Sequence, residues 1–128
     1  MTENPYQRYR ANAVETADPG RLILLLYDGA LRFINQAEQA LERQDLEQAH
    51  YKLLRAQDII AELMGSLDLE QGELAGNLFR LYDYMHYRLI QANIKKSAAP
   101  LQEVSAMLKS LRESWQEVCR QRVAVGSP

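Results

Sequence analysis

The feature that most limits the fold of this chain is an apolar spacing that recurs in three separate segments. Apolar side chains follow one another at alternating steps of three and four residues, the spacing of helices that pack nearly antiparallel. No segment shows the alternation of a half-buried strand, so we predict an all-α protein. The three stripes are Leu46, Ala49, Leu53, Ala56, Ile60 and Leu63; Ala75, Leu78, Tyr82, Met85, Leu89 and Ala92; and Leu101, Val104, Leu108, Leu111, Trp115 and Val118.

A further helix is predicted before these three. Asp18 is a good N-cap, and Pro19 suits the first helical position, where its missing N–H costs nothing. The run from residue 22 to residue 27 contains no polar side chain. A helix with one buried face cannot hide such a run, so we expect neighbours on two or three sides. Leu25 falls outside the buried arc, among charged residues, so we expect another segment to pack over it.

The breaks between the stripes fall where helix signals predict them. Asp45 can cap the second helix, Gly65 can end it, and the stretch 97–100, which ends in Pro100, separates the third from the fourth. Short connections favour an antiparallel four-helix bundle with up-down-up-down topology. We therefore predict one domain over residues 1–128, with a short additional helix or strap at 1–17 and main helices at 18–43, 45–65, 70–96 and 100–122.

Composition excludes several classes of protein. The formal net charge is −2, which argues against a nucleic-acid-binding module, because such a module needs a basic face. No apolar run approaches the roughly 18 to 20 residues that span a bilayer, and no basic-then-apolar leader is present. Cys119 is the single cysteine, and this count fits a reducing compartment. We interpret its side chain as an inert thiol. We expect a cytoplasmic protein that inserts in no membrane.

Two short motifs raise the question of a metal site. Glu47 and His50 form an E-x-x-H pattern, and Asp83 and His86 form a D-x-x-H pattern on the next helix. Di-iron bundles use such pairs, but with all ligands facing the core. At about 100° per residue these four side chains project well off their apolar stripes. We expect solvated flanks, with no metal, no cofactor and no catalytic residue.

The third helix carries a second apolar strip on its outer side. Tyr87 projects nearly opposite the core stripe, and Ile90 and Ile94 lie near it. Either another segment of the chain covers this strip, or it is a groove for a partner. On the second helix Ile59 also leaves its stripe, although a wide buried arc would account for it. We retain these residues, with Leu25, as candidates for partner binding.

Longer stretches of the sequence resemble the flagellin-specific secretion chaperones of the FliS family. The resemblance rests on "NPYQRYRANAVETADPGRL" at the start, on "LLLYDGALRFINQA", on "IIAELMGSLDLEQGELAGNLFRLYDYMHYRLIQAN" and on "LKSLRESW". It covers roughly residues 4 to 117, and its motifs are long and ordered. The best matched candidates for binding are Tyr6 and Tyr9 in the opening segment, and Tyr82 and Tyr84 in "LYDYM".

The resemblance implies a cytoplasmic export chaperone with an antiparallel bundle of four main helices and a short additional one. Members of this family bind the disordered C-terminal region of flagellin, prevent early polymerisation and aid delivery to the flagellar type III export gate. Other export-gate or regulatory proteins would be secondary partners. Two alternatives stay open from the residues: a structural bundle whose outer strip is a homodimer interface, and a metal-dependent bundle enzyme that uses the two His motifs.

Overall fold

The computed structural model describes the backbone of residues 19–126 and the side chains of residues 19–121. The described residues form helices and turns, with no strand among them, and the all-α prediction is confirmed. Each helix packs on the next, and the last packs on the first, which closes a four-helix bundle. The predicted strap at 1–17 lies outside the described residues. The helices are α1 (Pro19–Glu42), α2 (Leu46–Gly65), α3 (Glu73–Lys95) and α4 (Ala99–Gly126), with a 3₁₀ turn at Leu69–Gln71.

Local chemistry explains several of the helix ends. The Asp45 carboxylate accepts a hydrogen bond from the backbone N–H of Gln48 at 3.2 Å, as expected of an N-cap. Gly72 has a φ of 102°, a conformation that favours glycine, so the chain turns there. The third helix therefore begins at Glu73, three residues later than predicted. The fourth helix runs to Gly126, beyond the predicted end at 122, because no glycine or proline lies between Pro100 in its first turn and Gly126.

The core follows the predicted stripes in the middle of each helix. Its most buried side chains include Ile34 of α1, Leu53 of α2, Met85 of α3 and Leu108 of α4. Leu46 and Val118, which the stripes place in the core, are exposed instead. The apolar period shows which face of a helix is buried, but it does not show where the neighbouring helix ends.

The position of Val118 follows from a contact between the last helix and the first. The indole Nε1 of Trp115 donates a hydrogen bond to the carbonyl oxygen of Gly20 at 2.8 Å, in the first turn of α1. Val118 lies almost one turn further along α4, and therefore at the level where α1 begins. Arg112 and Asp28 form an ion pair between the same two helices. These contacts set the register of α4 against α1.

Candidate partner-binding face

The outer side of α3 carries four of the predicted binding residues. Tyr87 is 56% exposed and Ile94 is 77% exposed, while Tyr84 is exposed and Ile90 is half-buried. All four project away from the buried stripe of the same helix, which includes Tyr82. The structure thus brings these four residues onto one helix face, as the helical projection predicts.

Helix α2 adds two apolar side chains beside this face. His50 of α2 meets Asn93 of α3, with 2.9 Å between the His50 Nδ1 and the Asn93 Nδ2, and this contact marks the seam between the helices. Leu46 and Leu54 lie four residues before and after His50, on the same side of α2. Both are exposed. We call the combined surface the α2/α3 strip; it consists of Leu46, Leu54, Tyr84, Tyr87, Ile90 and Ile94.

A chain of hydrogen bonds links α3 to α4 beside the strip. The Tyr84 hydroxyl and the Arg88 Nε both donate to Oε1 of Glu103, each at 2.8 Å. Arg88 also donates from Nη1 to Oε1 of Gln91 at 2.7 Å, and Nε2 of Gln91 donates to the Tyr87 hydroxyl oxygen at 2.9 Å. We call these five side chains the Glu103 network.

Electrostatics define the charge states within the Glu103 network. The hydrogen bond from Tyr84, and then that from Arg88, hold the pKa of the Glu103 carboxyl below its usual value. The bond to Glu103 also raises the pKa of Tyr84. Glu103 is therefore a carboxylate at neutral pH, and Tyr84 is a neutral phenol that donates to it.

The remaining predicted binding residues lie elsewhere. Ile59 is buried, with 1% exposed, and forms part of the core between α1 and α2, so its prediction as a surface residue is wrong. The wide buried arc of α2 accounts for its departure from the stripe. Leu25 is half-buried on α1, which packs on α2 and α4 rather than beside α3. Tyr6 and Tyr9 fall outside the described residues.

The two His motifs occupy the flanks of their helices. His50 is exposed and contacts Asn93, and His86 is half-buried. Among the described residues, no group of three or more His, Cys, Asp or Glu side chains is arranged to hold a metal ion. The strip offers apolar and aromatic contact area, which suits binding of an apolar segment.

A concave surface lies between α1 and α4 and has a volume of about 570 Å³. Charged and amide side chains line most of it, including Arg32, Asn35, Glu38 and Lys109. Burial, and then the charge of Glu42, raise the pKa of Glu38, while Lys109 lowers it. This surface is polar, and it is therefore less suited to an apolar ligand than the α2/α3 strip.

Sequence reasoning missed Glu103, Arg88 and Gln91 as members of the candidate face. Two links in the network follow helical spacing, because Gln91 lies four residues after Tyr87 and three after Arg88. That spacing is a weak signal that could have pointed to them. Glu103 belongs to another helix, and its place beside Tyr84 depends on the register of α4 against α3.

No helix in the described part of the chain combines the length and the apolar character needed to cross a membrane.

Comparison with solved structures finds the same fold in a protein described as a flagellar chaperone from bacteria. The match has a TM-score of 0.77 and 20% sequence identity, and it covers 91% of this chain and 95% of the other. At this identity the match supports the fold alone.

Sequence comparisons identify relatives across several bacteria. The flagellar secretion chaperone FliS of Bacillus subtilis is 44% identical over 115 residues, which cover 90% of this chain and 86% of the relative. FliSB of Pseudomonas aeruginosa is 43% identical, and the match covers 86% of this chain and 89% of the relative. FliS of Salmonella typhimurium is 39% identical, and the match covers 84% of this chain and 81% of the relative. The family model described as flagellar protein FliS matches residues 2–122. The chain therefore belongs to the FliS family of flagellar secretion chaperones.

Proposed function

We propose that this chain is a cytoplasmic export chaperone that binds the disordered C-terminal region of flagellin on the α2/α3 strip. Binding there prevents premature polymerisation and delivers flagellin to the flagellar type III export gate. Membership of the FliS family supports the role, and the resemblance of the sequence to flagellin-specific chaperones supports the partner. The observation that carries the location is the set of exposed apolar and aromatic side chains on adjoining helices.

The physical reason concerns the surfaces that flagellin buries in a filament. Its terminal segments assemble through apolar helical faces, so a chaperone must supply a substitute apolar face. An amphipathic segment can lie along a groove between two helices and place anchors at i, i+3, i+4 and i+7. Tyr87, Ile90 and Ile94 have the matching spacing on the chaperone side. Ordering a disordered ligand costs free energy, so the complete contact must be large, on the order of 2,000 Å².

The location can be tested by replacing Tyr87 and Ile90 together with serine. The variant should bind a peptide from the flagellin C-terminal region about 2 to 4 kcal/mol more weakly in a calorimetric titration, because two buried anchors are lost. Leu69→Ser is the matched control: Leu69 is also 56% exposed, but it lies in the 3₁₀ turn away from the strip. Thermal unfolding of each variant shows whether the fold is retained.

Two outcomes would contradict this location. Unchanged affinity of a folded Tyr87→Ser, Ile90→Ser variant would place the flagellin contact elsewhere on the bundle. A sedimentation experiment separates the homodimer alternative, in which the strip joins two copies. If the wild-type chain sedimented as a dimer and the variant as a monomer that still bound flagellin, the strip would be a dimer interface.

A further inference from the structure

The Glu103 network joins two helices and two tyrosines. Tyr84 is held directly by the carboxylate of Glu103, and Tyr87 is reached from the same carboxylate through Arg88 and Gln91. Each step has a clear donor and acceptor: the phenol and the guanidinium donate to the carboxylate, the guanidinium donates to the amide oxygen, and the amide nitrogen donates to the second phenol. The pattern therefore sets one orientation of the Gln91 amide.

Both tyrosine rings would otherwise be free to rotate. Tyr84 and Tyr87 are exposed, and an exposed side chain loses rotamer freedom when a partner covers it. A ring whose hydroxyl is already anchored loses less freedom at that moment, so anchoring favours binding without adding a contact. Tyrosine suits this role because its ring supplies apolar area while its hydroxyl supplies the anchor.

The network depends on Glu103 more than on its other members. It is the acceptor for two donors, and it is the member of the network that comes from α4. The remaining members lie on α3, within one helix face. Without the carboxylate, Tyr84 loses its acceptor and Arg88 loses its charge partner, so the orientation of both rings is released.

We propose that Glu103 is a positioning residue for partner binding: it orients the Tyr84 ring directly, and the Tyr87 ring through Arg88 and Gln91, in the geometry that the partner segment meets. This inference rests on the proposed function, because it requires the outer side of α3 to be the binding face. It assigns to Glu103 an effect on affinity although the residue need not touch the partner.

The test compares Glu103→Ala with Tyr84→Phe, which removes only the anchored hydroxyl. Each should weaken binding of the flagellin C-terminal peptide about 5- to 10-fold in a calorimetric titration, because each releases the ring. The affinity of the double variant should lie within about twofold of the affinity of the weaker-binding single variant, because both changes break the same link. Glu113→Ala is the matched control, since it removes an exposed carboxylate from the same helix, and it should bind as the wild type does.

Glu103→Gln provides a readout that a general charge effect would not move. The glutamine carbonyl can still accept a hydrogen bond from Tyr84. On a logarithmic scale, this variant should therefore recover at least half of the affinity that Glu103→Ala loses. A tyrosine titration followed by ¹³C NMR adds a second readout: the pKa of Tyr84, raised in the wild type, should fall towards its ordinary value in Glu103→Ala. Both measurements are made on the full chain.

The outcomes distinguish this inference from the proposed function. If Tyr87→Ser with Ile90→Ser weakens binding while Glu103→Ala binds as the wild type does, the binding face stands and the positioning role is wrong. Equal losses in Glu103→Ala and Glu113→Ala, or losses that multiply in the double variant, would also overturn it. If the serine variant binds normally, the proposed face fails, and the positioning role fails with it.

Discussion

The hydroxyl oxygens of Tyr27 and Tyr82 lie 2.6 Å apart in the core, where α1 and α3 face each other across the bundle. Both side chains are only 2% exposed, and their rings are tilted by 51° with 6.5 Å between centroids. The other buried side chains of this cluster are aliphatic or alanine, with one methionine. Each phenol is thus the hydrogen-bond partner of the other, and this pair ties the two diagonal helices together.

Replacing one member of this pair should destabilise the chain. Tyr27→Phe or Tyr82→Phe leaves the other hydroxyl buried without its partner, at a cost of about 1 to 3 kcal/mol. The double variant should be no less stable than the less stable single variant, because it leaves neither hydroxyl behind. Urea unfolding of the four proteins measures these differences. Losses that simply add would show that the two hydroxyls act independently.

The same pair predicts a loss of stability in alkaline solution. Burial is the main cause that raises the pKa of both Tyr27 and Tyr82. Above about pH 10 the phenols of the unfolded chain release protons while these two retain theirs, so the unfolded state binds fewer protons. The free energy of unfolding should therefore fall as pH rises through that range. The double phenylalanine variant should show a shallower fall, and an equal slope in both proteins would refute this origin.

Gly29 permits a close approach between α1 and α2. A Cβ atom built there would lie 3.2 Å from the Cδ1 atom of Ile59, which is tighter than ordinary contact. Gly29→Val should therefore destabilise the chain by about 1 to 3 kcal/mol, because the larger side chain overpacks this site. Gly76→Val is the control, since the nearest atom there is the Nη2 of Arg80 at 3.9 Å. Similar unfolding midpoints for the two variants would mean that the helices separate easily.

The sequence alone predicts a role for the opening segment, which contains Tyr6 and Tyr9. The uncovered position expected for Leu25 motivates the idea that residues 1–17 pack on the bundle as a strap. Deletion of residues 2–14 should then change either the thermal stability of the chain or its affinity for the flagellin peptide. If the truncated chain matched the full chain in both measurements, the strap would have no role in the bundle or in binding.

Apolar periodicity was sufficient to predict the four helices and the centre of the core, because burial of one face is a local property of each helix. It placed Tyr82 and Leu89 inside and Tyr87 and Ile94 outside, and the structure agrees. It failed for Val118, because exposure there depends on where α1 begins. The start of α3 was also missed, since the conformation of one glycine decides it.

The candidate face was predictable only in part. Helical projection is enough to find an outward tyrosine, because it needs the geometry of one helix alone. The exposure of Leu54 and the contact of Glu103 with Tyr84 depend on how neighbouring helices are aligned, which no spacing within one segment can give. Ile59 was predicted to bind a partner but is buried, because its departure from the stripe reflects a broad buried arc of α2 and not an exposed side chain.

The proposed function requires the folded chain to bind the C-terminal region of flagellin. The most direct test is a calorimetric titration of the full chain with a peptide that spans this region. We expect saturable one-to-one binding with a Kd at or below about 10 µM, which is a binding free energy of roughly 7 kcal/mol, and a negative heat-capacity change from burial of apolar surface. An absence of binding heat at tens of micromolar, at two temperatures, would contradict it.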